Sequence, residues 1–503
     1  MPDLRSLVVI AITSCATPPA IDPCVGAEAL GDPVIDSAVA PGAVGQWWSS
    51  EAYPFDLEHP DTIWFECPRP IAHELERMPD LAFDTMDASA AGTVIDIDPA
   101  TMFQTILGTG ISMEAASVAN LQALGSDLRH EALVRMFDPV RGMGLQLVRV
   151  TIGTSDFASS SWYTYDDLPA GSEDPQLTAF TIDRDRQLGI LDVLREIRAI
   201  APDVRFFASP WSPPAWMKDG GRITGGALRT DRIAVYAAYL RRFVEAYRDE
   251  GVPIAALTLQ NEPRSDDDQM PSCLVTAEQE AALATAVAAE FTSAQLATQV
   301  WAYDHNFDAV VDYATDVLRD PAARAVISAV ALHDYAGDPS AMTAVHEQFP
   351  GLDVVFTEKT LWGVAGVDRV AQYFRNWSRS YVSWLAMLDQ DGAPNPGPNS
   401  LKPRRFVRSL RYSGAAYYAT PEHYLFGLYS RFVQVGATRI ASSPGSSDTV
   451  TDVAFANPDG TIAVVVINQS DRAQAFALRS AAHQLVTSLD AKTAATYLWH
   501  ASP

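Results

Sequence analysis

The sequence predicts a (β/α)8 barrel with a side β-sandwich domain built from both ends of the chain. Three observations predict it. Between about residues 104 and 388, short apolar runs alternate with helical patterns, the rhythm of a parallel sheet or barrel. Eight such runs fit a closed barrel better than an open doubly wound sheet, and no G-x-G-x-x-G follows any of them. After about residue 422 the pattern changes to short runs between turn residues, as in an antiparallel sandwich.

At 503 residues, one large domain and a smaller one are the natural division. Arg5, the apolar run Leu7–Ile12 and the Pro-rich stretch after it predict an export leader over residues 1–25. Ile12-Thr13-Ser14-Cys15 loosely resembles a lipobox, so a secreted or cell-envelope-associated protein is expected, with lipid attachment at Cys15 the lesser alternative. Residues 26–91 form an extension rich in Pro, Gly and Ala, whose exposed-looking Trp47, Trp48 and Trp64 indicate packing on something. Residues 92–103, with the strand-like Thr93–Ile97, are assigned to the sandwich.

The barrel is expected over 104–421. Its strands are read as Thr105–Gly108, Leu145–Ile152, Val204–Ser209, Ala255–Gln260, Gln299–Tyr303, Val326–Leu332, Asp353–Thr357 and Tyr381–Met387. Ile190–Ile200, Arg232–Glu250 and Glu278–Phe291 carry apolar residues at three- and four-residue spacing and are read as helices. Residues 422–503 form the rest of the sandwich, with strands Thr449–Phe455, Thr461–Asn468 and Ala473–Leu478.

Composition narrows the function. Lys plus Arg total 36 against 62 for Asp plus Glu, a formal charge of -26, which repels nucleic acid and anionic membranes. A neutral sugar is tolerated. The four cysteines form no C-x-x-C, and the nine histidines include no H-x-H or H-E-x-x-H, so neither a metal site nor a cofactor is expected.

In a parallel barrel the chemistry sits where the strands end. Strand four ends Gln260-Asn261-Glu262-Pro263 and strand seven ends Phe356-Thr357-Glu358. Two carboxyl groups facing each other across a sugar-sized pocket are what glycoside hydrolysis requires, one to protonate the leaving oxygen and one to attack the anomeric carbon or activate water. Other strand ends add Arg149, Asp156, Trp211, His333, Tyr335 and Trp384.

Ala208–Lys218 reads ASPWSPPAWMK and resembles a signature of glycoside hydrolase family 30, the glucosylceramidase-like enzymes. The resemblance continues through Gln104–Ser117, Leu147–Phe157, Thr224-Gly225-Gly226, Gln260–Pro263, His333 with Tyr335, and Phe356–Glu358. It implies Glu262 as acid/base, Glu358 as nucleophile, and Arg149 and Tyr335 as groups that orient and ionise the nucleophile. It implies sugar contacts from Asp156, Trp211, Asn261 and Trp384; His333 is grouped with these as a binding residue. Three departures bear on specificity: Gly108-Thr109-Gly110-Ile111 in place of G-F-G-G, Leu385 where relatives commonly place Asn, and Lys359-Thr360-Leu361-Trp362 in place of small residues.

The expected function is a retaining β-glycosidase acting on a β-linked glucoside, with a carbohydrate or glycolipid as substrate and no partner protein implied. An endo-β-1,6-glucanase or β-xylosidase is the near alternative. A catalytically silent carbohydrate-binding relative is the alternative from another class.

Overall fold

The computed structural model describes residues 36–51, 72–85, 93–389, 392–399, 407–410 and 416–501. The expected leader, Cys15 and Trp64 lie outside them.

Eight parallel strands form the barrel: Gly108–Ser112, Leu147–Ile152, Arg205–Pro210, Ile254–Thr258, Gln299–Asn306, Ile327–His333, Asp353–Glu358 and Ser380–Ser383. Neighbours in sequence are neighbours in the sheet, and the eighth pairs with the first. Isolated parallel bridges Val354–Ser378 and Lys359–Ser383 draw the seventh strand to the eighth. The interior is filled by Leu147, Phe207, Ala256, Trp301, Ala329, Ala331, Val355 and Val382.

The first strand runs from Gly108 to Ser112, later than Thr105–Gly108, because a single long strand, Thr93–Thr105, belongs to the sandwich. Gly110 lies where the first two barrel strands approach closely. A Cβ there would come within 2.2 Å of the Leu147 carbonyl oxygen, so only glycine fits. The eighth strand stops at Ser383, and Met387–Asp389 instead begins a three-stranded sheet with Val407–Leu410 and Ala416–Ala419.

The helices Ile190–Ile200, Ile233–Asp249 and Ala277–Ser293 bury their periodic apolar faces, such as Tyr236, Leu240, Phe243 and Tyr247 on the second. A capping box starts the third: Thr276 accepts the Gln279 N–H at 3.2 Å, and Gln279 accepts the Thr276 N–H at 3.0 Å.

The second domain is a ten-strand sheet over one core that includes Val44, Ile95, Ile440, Val464, Phe476, Leu485 and Tyr497. Thr93–Thr105 pairs with both Thr438–Ser442 and Gln474–Ser480, so the front of the chain closes the domain made by its end. The extension also contributes. Ala43–Ser50 pairs with Thr493–His500 and with Glu74–Ala82, so the sandwich begins well before residue 92. Trp47 and Trp48 are accordingly buried; Trp47 packs on Phe432 with ring centres 4.4 Å apart. Helix Pro421–Ser430 and Arg375, which bonds the Asp452 carbonyl at 2.7 Å, join the two domains.

Candidate active site

The polar side chains of the barrel gather at the C-terminal strand ends around Arg149, which projects from strand two and is completely buried. A buried guanidinium is costly unless paired. Here one nitrogen donates to Glu358, and the other to Asn261 and Asp304, each at 2.8 Å, and to Ser209 at 3.1 Å. The guanidinium carbon lies over the Trp211 ring, 4.7 Å from its centre, and 5.8 Å from that of Trp384.

Glu262 follows strand four in a left-handed backbone conformation (φ 48°). Its N–H donates to the Asp304 carbonyl at 2.9 Å, and the Asn261 N–H donates to the Pro210 carbonyl at 2.8 Å, tying this strand end to strands three and five. Glu358 closes strand seven, and the Tyr335 hydroxyl donates to it at 2.8 Å. Tyr335 stands at the mouth, 46% exposed. Glu262, His333 and Glu358 each offer one atom such that all three lie within 4.8 Å of one another, so the two carboxyl groups face each other at short range.

The same trio could tempt a cation, but its donors are already used. His333 bonds Glu262 through Nδ1 at 3.2 Å and Asp304 through Nε2 at 3.0 Å, and Arg149 sits on Glu358.

His333 is fully buried, and both its ring nitrogens bond carboxylates. Expected among the sugar contacts, it links two carboxylates in this structure. Burial pushes its pKa down, but the charges of Glu358 and Asp304 outweigh that and raise it to about 9, so it is cationic at neutral pH. Burial pushes the Glu262 carboxyl up; the hydrogen bond and charge of His333 prevail and hold it below the usual carboxylate range. Glu262 and His333 therefore share a proton across their hydrogen bond.

Asp156, Trp211 and Trp384 come together, but they lie almost wholly buried in this conformation. The two indoles stack with centres 5.4 Å apart, against Phe157 and Leu385, and the Asn399 amide covers Asp156 at 3.0 Å. Burial raises the Asp156 carboxyl to about 7. Asn261 spends its Oδ1 on Arg149, which leaves its amide N–H groups for a ligand.

Two acids escape the sequence reading. Asp304, buried between Arg149 and His333, also accepts Thr258 at 2.8 Å, Thr357 at 2.6 Å and Ser209. Burial alone would raise its carboxyl; the Arg149 and His333 charges drive it far below the ordinary value. Its position just past the assigned end of strand five was the available signal. Glu114, buried two residues after strand one, is pushed by burial to about 8 despite the Ser112 hydroxyl.

A hollow of about 480 Å³ lies at the opposite, N-terminal end of the barrel, lined by Leu147, Phe207, Ile254 and Trp301 among others. That end of a parallel barrel serves stability, not chemistry.

A barrel of this architecture, with a side sandwich and two facing carboxyl groups at its mouth, defines a class of protein: a glycoside hydrolase. The family follows from comparison with known proteins. Residues 106–433 match the glycosyl hydrolase family 30 TIM-barrel domain and residues 436–497 the family's β-sandwich domain. The chain belongs to glycosyl hydrolase family 30. The matched barrel extends past residue 421 through helix Pro421–Ser430.

Among its relatives, an endo-1,6-β-D-glucanase of Trichoderma harzianum is 31% identical over 390 residues, 73% of this chain and 78% of that protein. The lysosomal acid glucosylceramidase of Mus musculus is 27% identical over 436 residues, 78% of this chain and 81% of that protein. A solved endo-β1,6-glucanase superposes with a TM-score of 0.79 at 25% identity, covering 92% of this chain and 100% of the other.

Proposed function

We propose that the chain is a retaining β-glycosidase, with Glu358 as nucleophile and Glu262 as acid/base, and that its substrate is a β-1,6-linked glucan. One observation carries the mechanism: carboxylate oxygens of Glu262 and Glu358 lie within 4.8 Å, close to the retaining separation of about 5–5.5 Å and short of the roughly 6.5–9.5 Å that admits an inverting water.

The surroundings divide the roles. Glu358 accepts from Arg149 and Tyr335, donors that aim it at the anomeric carbon. Glu262 shares a proton with His333 and passes it to the glycosidic oxygen as the C–O bond breaks. Covalent attachment of the sugar removes the negative charge of Glu358. Glu262 then takes a proton from water, which attacks the opposite face and restores the β configuration.

The β-1,6-glucan substrate is supported by the endo-1,6-glucanase relative and solved structure. Glucosylceramide remains the second reading, favoured by the mouse relative.

Incubation with β-1,6-glucan, aryl β-glucosides and glucosylceramide, with NMR of the first-formed anomer, tests both parts. The expected product is a β-anomeric gluco-oligosaccharide from β-1,6-glucan. An α-anomer would overturn the mechanism, and turnover confined to glucosylceramide would overturn the substrate.

A leaving-group series tests Glu262. In Glu262→Ala, kcat/KM should fall about 10²–10⁴-fold for an alkyl β-glucoside and far less for a dinitrophenyl β-glucoside, whose departure needs little protonation. Equal losses on the two would remove Glu262 from the acid role.

A further inference from the structure

The residue after Glu358 is a lysine, one of the departures from the family pattern. Its backbone is pinned into the barrel wall: the Lys359 N–H donates to the Val382 carbonyl at 3.3 Å, and its carbonyl accepts the Trp384 N–H at 3.2 Å. From this anchor the side chain rises to the mouth, where its ammonium lies 4.2 Å from the centre of the Tyr335 ring.

Tyr335 needs such a restraint. Nearly half of it is exposed, yet its hydroxyl must stay on Glu358 at 2.8 Å for the nucleophile to be oriented. Its backbone N–H is held by Asn306 at 2.8 Å, and the His333 ring meets it nearly perpendicularly, 6.1 Å away. Lys359 adds a cation against the π-face, the geometry in which an ammonium is attracted to an aromatic ring.

The acids around Lys359 do not draw it away. Asp334 is held by both sides of the Arg369 guanidinium, at 2.7 and 3.0 Å, and by the Tyr373 hydroxyl. The other carboxylate that acts on the lysine charge is Glu358 itself, and Arg369 is the opposing cation.

We infer that Lys359 is a positioning residue: its ammonium clamps the Tyr335 ring so that the phenol stays on Glu358. The inference rests on Glu358 being the nucleophile. The carboxylate thus has Arg149 behind it in the barrel and a lysine–tyrosine clamp in front. The family's usual small residue at this position cannot supply the second.

A double-mutant cycle tests it, with Lys359→Met, Tyr335→Phe, the double variant, and Lys359→Arg as the conservative replacement. Lys359→Met should lower kcat/KM for an aryl β-glucoside roughly tenfold. The loss should fall mainly on kcat, and the acidic limb of the pH profile should move to higher pH. Lys359→Arg should stay within about threefold of wild type. On the Tyr335→Phe background, Lys359→Met should cost much less than it does alone, because the clamped hydroxyl is already gone.

Additive losses, an unmoved acidic limb, or a Lys359→Arg defect as large as that of Lys359→Met would each overturn the inference. A crystal structure of Lys359→Met gives a readout independent of activity: Tyr335 should leave Glu358, and a retained hydroxyl contact would refute the clamp. An inactive wild type, by contrast, would overturn the proposed reaction and leave the crystallographic comparison to decide the clamp.

Discussion

Glu358→Gly is expected to lower turnover of every glycoside on the order of 10⁵-fold or more, because it deletes the atom that bonds to the anomeric carbon. Azide should restore much of the activity toward an aryl β-glucoside with a good leaving group. The glycine leaves a space on the α face, and the anion can enter it beside Arg149 and the Tyr335 hydroxyl, which have lost their partner. Attack from that face gives an α-glycosyl azide. In Glu262→Ala the glycosyl-enzyme still forms and azide meets it from the other face, so that product is the β-glycosyl azide. Chromatography and NMR of the two products separate the roles without reference to rates. A β-azide from Glu358→Gly would exchange the two assignments.

The two carboxyl groups and the barrel that presents them are legible in the sequence for local reasons. Apolar runs fix where strands lie, strand ends fix which side chains reach the mouth, and Glu262 and Glu358 close two such runs. What joins them is not local. Asp304 becomes a hub because Arg149, Ser209, Thr258, His333 and Thr357 arrive from five other strands. No window of sequence contains that convergence. The backbone also conceals it: Tyr303 and Asp304 have positive φ, so strand five does not end in the regular alternation by which strands are read.

His333 shows the same limit. Its place at the end of strand six is legible, but its link between two acids depends on the Asp304 contact on one nitrogen and the Glu262 contact on the other, which no local pattern shows. The N-terminal extension fails for a related reason. Trp47 and Trp48 look exposed until Thr493–His500, from the far end of the chain, is laid beside them.

Arg149→Gln should be the most damaging change outside the two glutamates, in stability and in rate. Burial opposes ionisation of Asp304, and the charges of Arg149 and His333 overcome it. A carboxyl whose folded pKa lies below its unfolded value of about 3.9 stabilises the fold at all pH values above that value. The contribution is lost as pH falls through the folded pKa. Without Arg149, His333 alone compensates the buried anion, so the variant should lose about 3–5 kcal/mol at neutral pH. The deficit relative to wild type should shrink below about pH 4, where the unfolded chain also takes up the proton. The activity loss has a separate origin. Glu358 keeps Tyr335 but loses the guanidinium that bonds it directly, so kcat/KM should fall by about 10³-fold. Its acidic limb should move to higher pH, as the cluster of Asp304 and Glu262 protonates more readily without the guanidinium. Arg149→Lys keeps the charge and gives up the forked contacts to Asn261, Asp304 and Glu358. It should therefore recover much of the stability and little of the rate. Urea unfolding from pH 3 to 8 and pH profiles of kcat/KM check both halves. A stability deficit independent of pH would mean that Arg149 serves packing alone, and an unmoved acidic limb in a folded variant would mean that it does not serve the nucleophile.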